Sequence, residues 1–380
     1  MNNYIIAQNG AVVNIYAENV TQKPPKNRPK PPKTARKSSD IRTAEKLAAA
    51  RAKRAERQAD ACKPMWQRWD EHKALAVMVG ERLIQAGLPK RGWRVKMCNN
   101  ELDIVRCADC GHITIRGASL CRDRLCPLCA WRLAIKRYAA MQKIMAVVAQ
   151  RARPNWAYFL ITLTAKNCAP SDLSDTIKSM SAAWTACTYQ RWWRKWIIGW
   201  ARSVEVTYND TDKTLHPHYH ILLISDGGTD TAKEVIGEWI DRARREGLTV
   251  SAAAQHYDTV YKPTDAGESF AGAVCEVYKY MVKSSDTLAM PLGILHDFAV
   301  GIAGARLVSM GGAIKDIARQ LSVGALDDAT EDAPDEELCT HCGSRAIDKM
   351  VATWAMSGMH YYTAQGKTLS DLIEHPPAED

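Results

Sequence analysis

No run of eighteen consecutive apolar residues occurs in this 380-residue chain; the nearest, Pro291 to Ile314, is broken by His296, Asp297 and Arg306. A membrane-spanning helix is therefore not expected. The opening Met1-Asn2-Asn3-Tyr4 lacks the basic region and cleavage site of a secretory signal. The expectation is a soluble, cytoplasmic protein with no membrane partner. No internal repeat is present, and the length suffices for one large or two to three small domains with an ample core.

Charge and cysteine are what the chain has in quantity. The formal net charge is +9, and between Lys23 and Arg57 thirteen Lys or Arg face only Asp40, Glu45 and Glu56. Such an arm suits a phosphate backbone or simply a solvated tail. The sign reverses between Asp327 and Glu337. Twelve cysteines in a cytosolic chain suggest metal ligands before disulfides.

Composition divides the chain. Residues 1–40 read as a disordered basic arm, with Pro24-Pro25, Pro29 and Pro31-Pro32 among lysines. Residues 41–100 read as a basic helical region, with a helix to Gln58 and another from Trp66 to Ala86. Residues 101–135 read as a zinc-binding cysteine module, 136–325 as a catalytic domain, and 326–380 as an acidic linker and tail carrying Cys339-x-x-Cys342. Within the catalytic domain, Tyr158–Thr164, Arg202–Tyr208 and His256–Tyr261 read as strands. Trp131–Gln150, Ser171–Trp196, Thr231–Glu246 and Ser269–Lys283 read as helices.

The most informative stretch is His216-Pro217-His218-Tyr219-His220, followed by Ile221-Leu222-Leu223-Ile224. Alternate strand residues share a face, so the three imidazoles project together and Tyr219, Ile221 and Leu223 project oppositely. Two neutral imidazoles about 6–7 Å apart along a strand can grip a divalent cation and leave positions open for substrate. Arg202–Tyr208 and the histidine strand form an antiparallel hairpin, which brings Glu205 towards His218 and His220 as a third ligand. That hard oxygen suits Mg²⁺ or Mn²⁺, with Zn²⁺ able to bind in vitro.

Glu276, Tyr280 and Lys283 stand at i, i+4 and i+7, one helix face. A tyrosine hydroxyl there can attack a phosphodiester, Glu276 can take a proton, and Lys283 can neutralise the phosphate. Tyr278 points about 200° away on the same helix. Cys107-x-x-Cys110 and Cys126-x-x-Cys129, fifteen residues apart, fit a zinc ribbon, with Cys121 and His112 as surplus ligands. Cys339-x-x-Cys342, with His341, is half a site; it completes a second site with leftover cysteines of the first cluster or binds nothing. Cys62, Cys98, Cys168, Cys187 and Cys275 read as packing residues. Around Trp192-Trp193-Arg194-Lys195-Trp196, helical phase puts Trp192 and Trp196 in the core with Tyr189 and Thr185, and leaves Arg191, Arg194 and Lys195 for DNA.

Phe159-Leu160-Ile161-Thr162-Leu163-Thr164, His216-Pro217-His218-Tyr219-His220 and Glu276-x-x-x-Tyr280-x-x-Lys283 together resemble the three motifs of HUH endonucleases, and more narrowly those of single-tyrosine plasmid rolling-circle replication initiator (Rep) proteins. Cys121-x-x-Arg124-x-Cys126-Pro127-x-Cys129-x-x-Arg132 and Gly199-x-x-Arg202-x-x-Glu205-Val206-Thr207 match further segments of that family, so the resemblance covers about Cys121 to Ile317. It implies an α+β fold, an antiparallel HUH-type sheet flanked by helices. It also implies a metal-dependent, site-specific single-strand endonuclease that binds the plasmid double-strand origin, nicks one strand through Tyr280 and stays on the 5′ phosphate. The free 3′ hydroxyl then primes leading-strand synthesis by host polymerase, with the host replication helicase as a further partner. Glu276 would activate water for termination, and His218, His220 and Glu205 would hold the cation, with His216 in a supporting or DNA-contacting place. A homo-oligomer is compatible with it.

Three rivals remain at this stage. A transposase or mobilisation relaxase of the same superfamily keeps the chemistry. A non-enzymatic zinc-dependent DNA-binding regulator needs only the cysteines and the basic arm. A small-substrate metallohydrolase leaves that arm unexplained.

Overall fold

The computed structural model describes residues 5–6, 12–13, 65–260, 274, 277, 284–321, 338–339 and 341–374. Apart from Ile5–Ile6 and Val12–Val13, the basic arm lies outside the described residues, as do its following helix, Cys62, Cys275, Glu276, Tyr278, Tyr280 and Lys283. Two compact units, Met1–Trp69 and Asp70–Asp380, divide the chain. In the first, β1 (Ile5–Ile6) pairs antiparallel with β2 (Val12–Val13).

Helix α1 (Met65–Gln85) and helix α2 (Pro89–Lys96) follow. They touch backbone to backbone: a Cβ on Gly92 would stand 2.5 Å from the Gly80 carbonyl oxygen. Only glycine permits that approach. Then come β3 (Glu101–Cys107), β4 (Ile113–Ala118), α3 (Pro127–Arg151), β5 (Ala157–Thr164), α4 (Leu173–Thr188) and α5 (Arg191–Trp196). The chain continues through β6 (Ile197–Asn209), β7 (Thr214–Ser225), α6 (Thr231–Arg245), β8 (His256–Val260), α7 (Ser284–Ala289) and α8 (Leu292–Gly301). It closes with β9 (Val308–Gly312), α9 (Ala313–Gln320), β10 (Ile347–Ala355), β11 (His360–Thr363) and α10 (Leu369–Glu374).

The described strands of the second unit make two antiparallel sheets, of order β11-β10-β3-β4 and β8-β5-β7-β6-β9. The expected α+β fold, an antiparallel sheet flanked by helices, is therefore what the chain adopts. β7 is the central strand of the larger sheet, which explains its uninterrupted Ile221-Leu222-Leu223-Ile224: both faces are covered, and all four are fully buried. Each such side chain contributes about 1.5–3 kcal/mol by leaving water.

The two faces of this sheet differ. Leu222 and Ile224 cluster with Met141, Ile144, Met145 and Val148 of α3, Ile314 and Ile317 of α9, and Val274 and Val277. By strand alternation this is also the face of His218 and His220. On the other face Tyr219 meets the rings of Trp184 of α4 and Trp239 of α6. Arg202 is buried there too, its guanidinium 4.3 Å from the Tyr219 ring and its Nε donating to Ser309 Oγ at 3.0 Å.

Some expected elements are corrected. The helix expected over Ser171–Trp196 is two helices, because Gln190 turns extended, with ψ 145. The break resets the helical phase: Trp193 is buried, Trp192 and Trp196 are half-buried, and Tyr189 is 68% exposed. The stripe of Tyr189, Trp192 and Trp196 is thus not the core face. Gly199, expected past a helix end, lies inside β6, which starts at Ile197.

Candidate functional site

The β6–β7 hairpin builds the site. Asn209 Oδ1 accepts from the backbone N–H of Thr211 at 3.0 Å and of Asp212 at 3.4 Å, Lys213 adopts φ +54, and Lys213 Nζ donates to Asp210 Oδ1 at 2.6 Å. This turn sets a register in which Glu205 faces His218 and Ser203 faces His220. A one-residue slip would send Glu205 to the opposite face. On the other flank β5 sets Thr162 opposite His220 and Thr164 opposite His218.

Glu205 Oε2 lies 2.9 Å from His220 Nε2 and 3.4 Å from His218 Nε2, and the three side chains are 7–12% exposed. Their other ring nitrogens are held. His218 Nδ1 is 3.3 Å from the His216 carbonyl and His220 Nδ1 is 3.4 Å from Thr162 Oγ1. Such support turns each Nε2 towards a shared point. Three ligands on one face of an octahedron of about 2.1 Å radius would be separated by roughly 3 Å, so the residues fit a Mg²⁺- or Mn²⁺-sized ion. His216 does not join them. Its Nε2 is 2.9 Å from Thr164 Oγ1 and its Nδ1 is 2.8 Å from Asn167 Oδ1, leaving no free nitrogen. Burial, with His218 alongside, holds the His216 imidazole below its ordinary value.

The cysteines assemble differently from the sequence expectation. Cys107 and Cys110 do not meet Cys126 and Cys129. They converge with Cys339 and Cys342, while Cys126 and Cys129 converge with Cys98 and Cys121. In each group the sulfurs lie within 4.8 Å of one another, so among the described residues two cysteine clusters are able to hold metal. Cys339-x-x-Cys342 meets no leftover cysteine of the expected first cluster; it lies against Cys107 and Cys110 themselves. Cys98, read as a packing residue, is a member of the other group; Cys168 and Cys187 are in neither.

The inner group, Cys98, Cys121, Cys126 and Cys129, sits at the N-terminus of α3, where Cys126 is the N-cap. Lys73 is fully buried beside it, its Nζ donating to the carbonyls of Cys98 at 2.7 Å and Lys96 at 2.9 Å. Burial pushes the Lys73 ammonium down to about 8, against the opposing pull of Cys98, Cys126 and Cys121. Between these cysteines Asp123 is clamped by Arg91 (2.7 and 2.9 Å) and Arg94 (2.8 Å) of α2.

Arg191, Arg194 and Lys195 are exposed on α5. They adjoin the Ile197 end of β6, eight residues or about 26 Å along the strand from Glu205. No helix among the described residues is long and apolar enough to cross a membrane.

Residues 112–362 match the family model described as Replication protein. The chain belongs to that family. Among curated relatives, a "Protein rep" of Streptococcus pneumoniae serotype 2 is 27% identical over 279 residues, covering 71% of this chain and 83% of its own length. A "Protein rep" of Lentilactobacillus hilgardii is 26% identical over 305 residues, covering 77% and 94% respectively. A "Replication protein" of Staphylococcus aureus is 25% identical over 236 residues, covering 58% and 96%. No solved structure matches. The resemblance to plasmid replication initiators drawn from the motifs is thereby borne out, and plasmid replication initiation is the role the family supports.

Two features of this replication protein left no readable trace. Lys73 is one lysine in a helix whose acidic and basic residues balance, and Cys98 stands alone without a Cys-x-x-Cys partner. The repeated Cys-x-x-Cys-Gly was the available signal for joining the Cys107–Cys110 turn to the Cys339–Cys342 turn, since both precede a glycine.

Proposed function

We propose that this protein initiates rolling-circle replication by nicking one strand of its plasmid origin through Tyr280. The observation that carries the reading is the Glu205–His218–His220 cluster on the sheet face that also buries Val274 and Val277. Val277 is three residues before Tyr280 in the chain.

In the proposed step the Tyr280 oxygen attacks the scissile phosphorus. The new P–O bond replaces the bond to the 3′ oxygen, which leaves and takes a proton to become the primer hydroxyl. Lys283 neutralises the phosphate, the tyrosine proton passes to solvent water, and Glu276 accepts a proton from the attacking water at termination. Glu205, His218 and His220 would hold Mg²⁺ or Mn²⁺, which when bound polarises the phosphate. Arg191, Arg194 and Lys195 are suited to the flanking DNA backbone. Origin DNA, double- and single-stranded, with host helicase and polymerase, are the partners this role requires.

A structural Zn²⁺ at Cys98, Cys121, Cys126 and Cys129 completes the proposal. A tetrathiolate zinc site is doubly negative, and the buried Lys73 ammonium supplies the countercharge that a neutral cluster would leave unexplained. Such an ion contributes on the order of 10 kcal/mol to a small unit.

The test is incubation with a single-stranded oligonucleotide carrying the nick site, with Mn²⁺. Wild-type protein should migrate with covalently attached DNA on a denaturing gel. Tyr280→Phe should lose the adduct and keep origin binding; an adduct from that variant would refute the assignment.

A further inference from the structure

The outer cysteine group stands apart from the nicking chemistry, and its two halves have the same construction. Cys107-x-x-Cys110-Gly111 and Cys339-x-x-Cys342-Gly343 are separated by more than two hundred residues, yet they form the same turn. Gly111 N–H donates to the Cys107 carbonyl at 3.0 Å, and Gly343 N–H to the Cys339 carbonyl at 2.8 Å. Cys107 N–H donates to the His112 carbonyl at 2.9 Å, and Cys339 N–H to the Ser344 carbonyl at 2.7 Å. Both glycines take positive φ, 67 and 76. A turn of this form aims both sulfurs of a Cys-x-x-Cys at one point outside the backbone, and here the two points coincide.

The sulfur separations identify the ligand class. Cys107 Sγ is 3.5 Å from Cys342 Sγ, and Cys110 Sγ is 3.6 Å from Cys339 Sγ. Four sulfurs about 2.3 Å from a tetrahedral Zn²⁺ are spaced by roughly 3.8 Å, the edge of that tetrahedron. A disulfide requires about 2.05 Å. The sulfurs thus stand at the spacing of metal ligands rather than of bonded pairs.

We propose that Cys107, Cys110, Cys339 and Cys342 hold a resident Zn²⁺ that clasps the two ends of the catalytic segment together. Every strand of the five-stranded sheet, from β5 to β9, lies between the two turns in sequence. The ion sits where β3 ends and the chain approaches β10, and Ala108 N–H donates to the Ala346 carbonyl at 2.8 Å beside it. A link across so long a loop removes much conformational freedom from the unfolded chain. His112, with Nδ1 3.8 Å from Cys339 Sγ, borders the site.

The test uses the full chain purified in reductant without chelator. Zinc is counted by inductively coupled plasma mass spectrometry. Cys339→Ser/Cys342→Ser should bind one equivalent fewer than wild type, and Cys107→Ser/Cys110→Ser should lose the same equivalent. Combining all four changes should cost no more than that one. Unchanged zinc in either double variant would overturn the site. Thiol footprinting of the unmutated chain gives a second readout that no folding defect can mimic. Cys342 is exposed, so it should react at once with a maleimide unless metal holds it. Protection of all four cysteines until a chelator is added is the expected result; immediate labelling of Cys342, or a mapped disulfide within the group, would overturn the proposal. Neither measurement depends on nicking.

Discussion

Glu205 and His218 are direct cross-strand partners on β6 and β7, and the carboxylate reaches on to His220 at 2.9 Å. One antiparallel pair therefore supplies all three groups of the candidate cation site, and a fourteen-residue hairpin segment, Glu205 to His218, suffices to bring the first two together. A single buried carboxylate between two imidazoles gains most from a cation shared by all three.

Removing that carboxylate should weaken the site without unfolding the sheet. Glu205→Ala is expected to lower Mn²⁺ affinity on the order of 100-fold, measured by titration calorimetry, with the far-ultraviolet circular dichroism of wild type. Unchanged Mn²⁺ affinity would place the ion elsewhere.

Glu276→Ala should separate the two halves of the proposed cycle. Nicking and adduct formation persist, while hydrolytic release slows by roughly 100-fold, the usual scale of a lost general base. The ratio of covalent adduct to free nicked product over time reads this directly; an unaltered ratio would remove Glu276 from the release step.

Each backbone phosphate neutralised by a cation steepens the salt dependence of binding by about 0.9 in log–log slope. Replacing Arg191, Arg194 and Lys195 together by Ala should flatten that slope by roughly 2 to 3 on origin duplex, measured by fluorescence anisotropy across salt concentrations. A slope equal to that of wild type would show that α5 faces solvent in the complex.

Acid should act through Asp123. Burial opposes its charge, but the hydrogen bond and charge of Arg91, then the Leu125 N–H and Arg94, hold its carboxyl below the ordinary value of 3.8. A depressed carboxylate contributes stability above the unfolded value, and that contribution is lost as pH falls through the folded one. Asp123→Asn should therefore cost about 3 kcal/mol near pH 7, and the gap from wild type should narrow below about pH 4. Urea melts at several pH values would show it; a gap that widened in acid would contradict the sign.

The nearby part of the site was legible because its rules are local. Period-two alternation put His218 and His220 on one face, and a four-residue turn left few registers for Glu205. Helix phase was less reliable. Nothing in Tyr189-Gln190-Arg191 announced the break that exposes Tyr189 and buries Trp193, since packing of Trp193 on Trp184, which also meets Trp200, settles it.

The amino-acid sequence by itself determined the chemistry available: a histidine strand, an acid on its hairpin partner, and Cys-x-x-Cys turns of metal-binding type. Only the tertiary structure decided which turns meet. Spacing favoured the nearer pair, Cys126-x-x-Cys129, but β3 pairs with β10 from Cys107 to Ile347, and that register carries Cys107 to Cys342. A sulfur's partner is chosen by strand pairing over hundreds of residues, and local periodicity holds no information at that range.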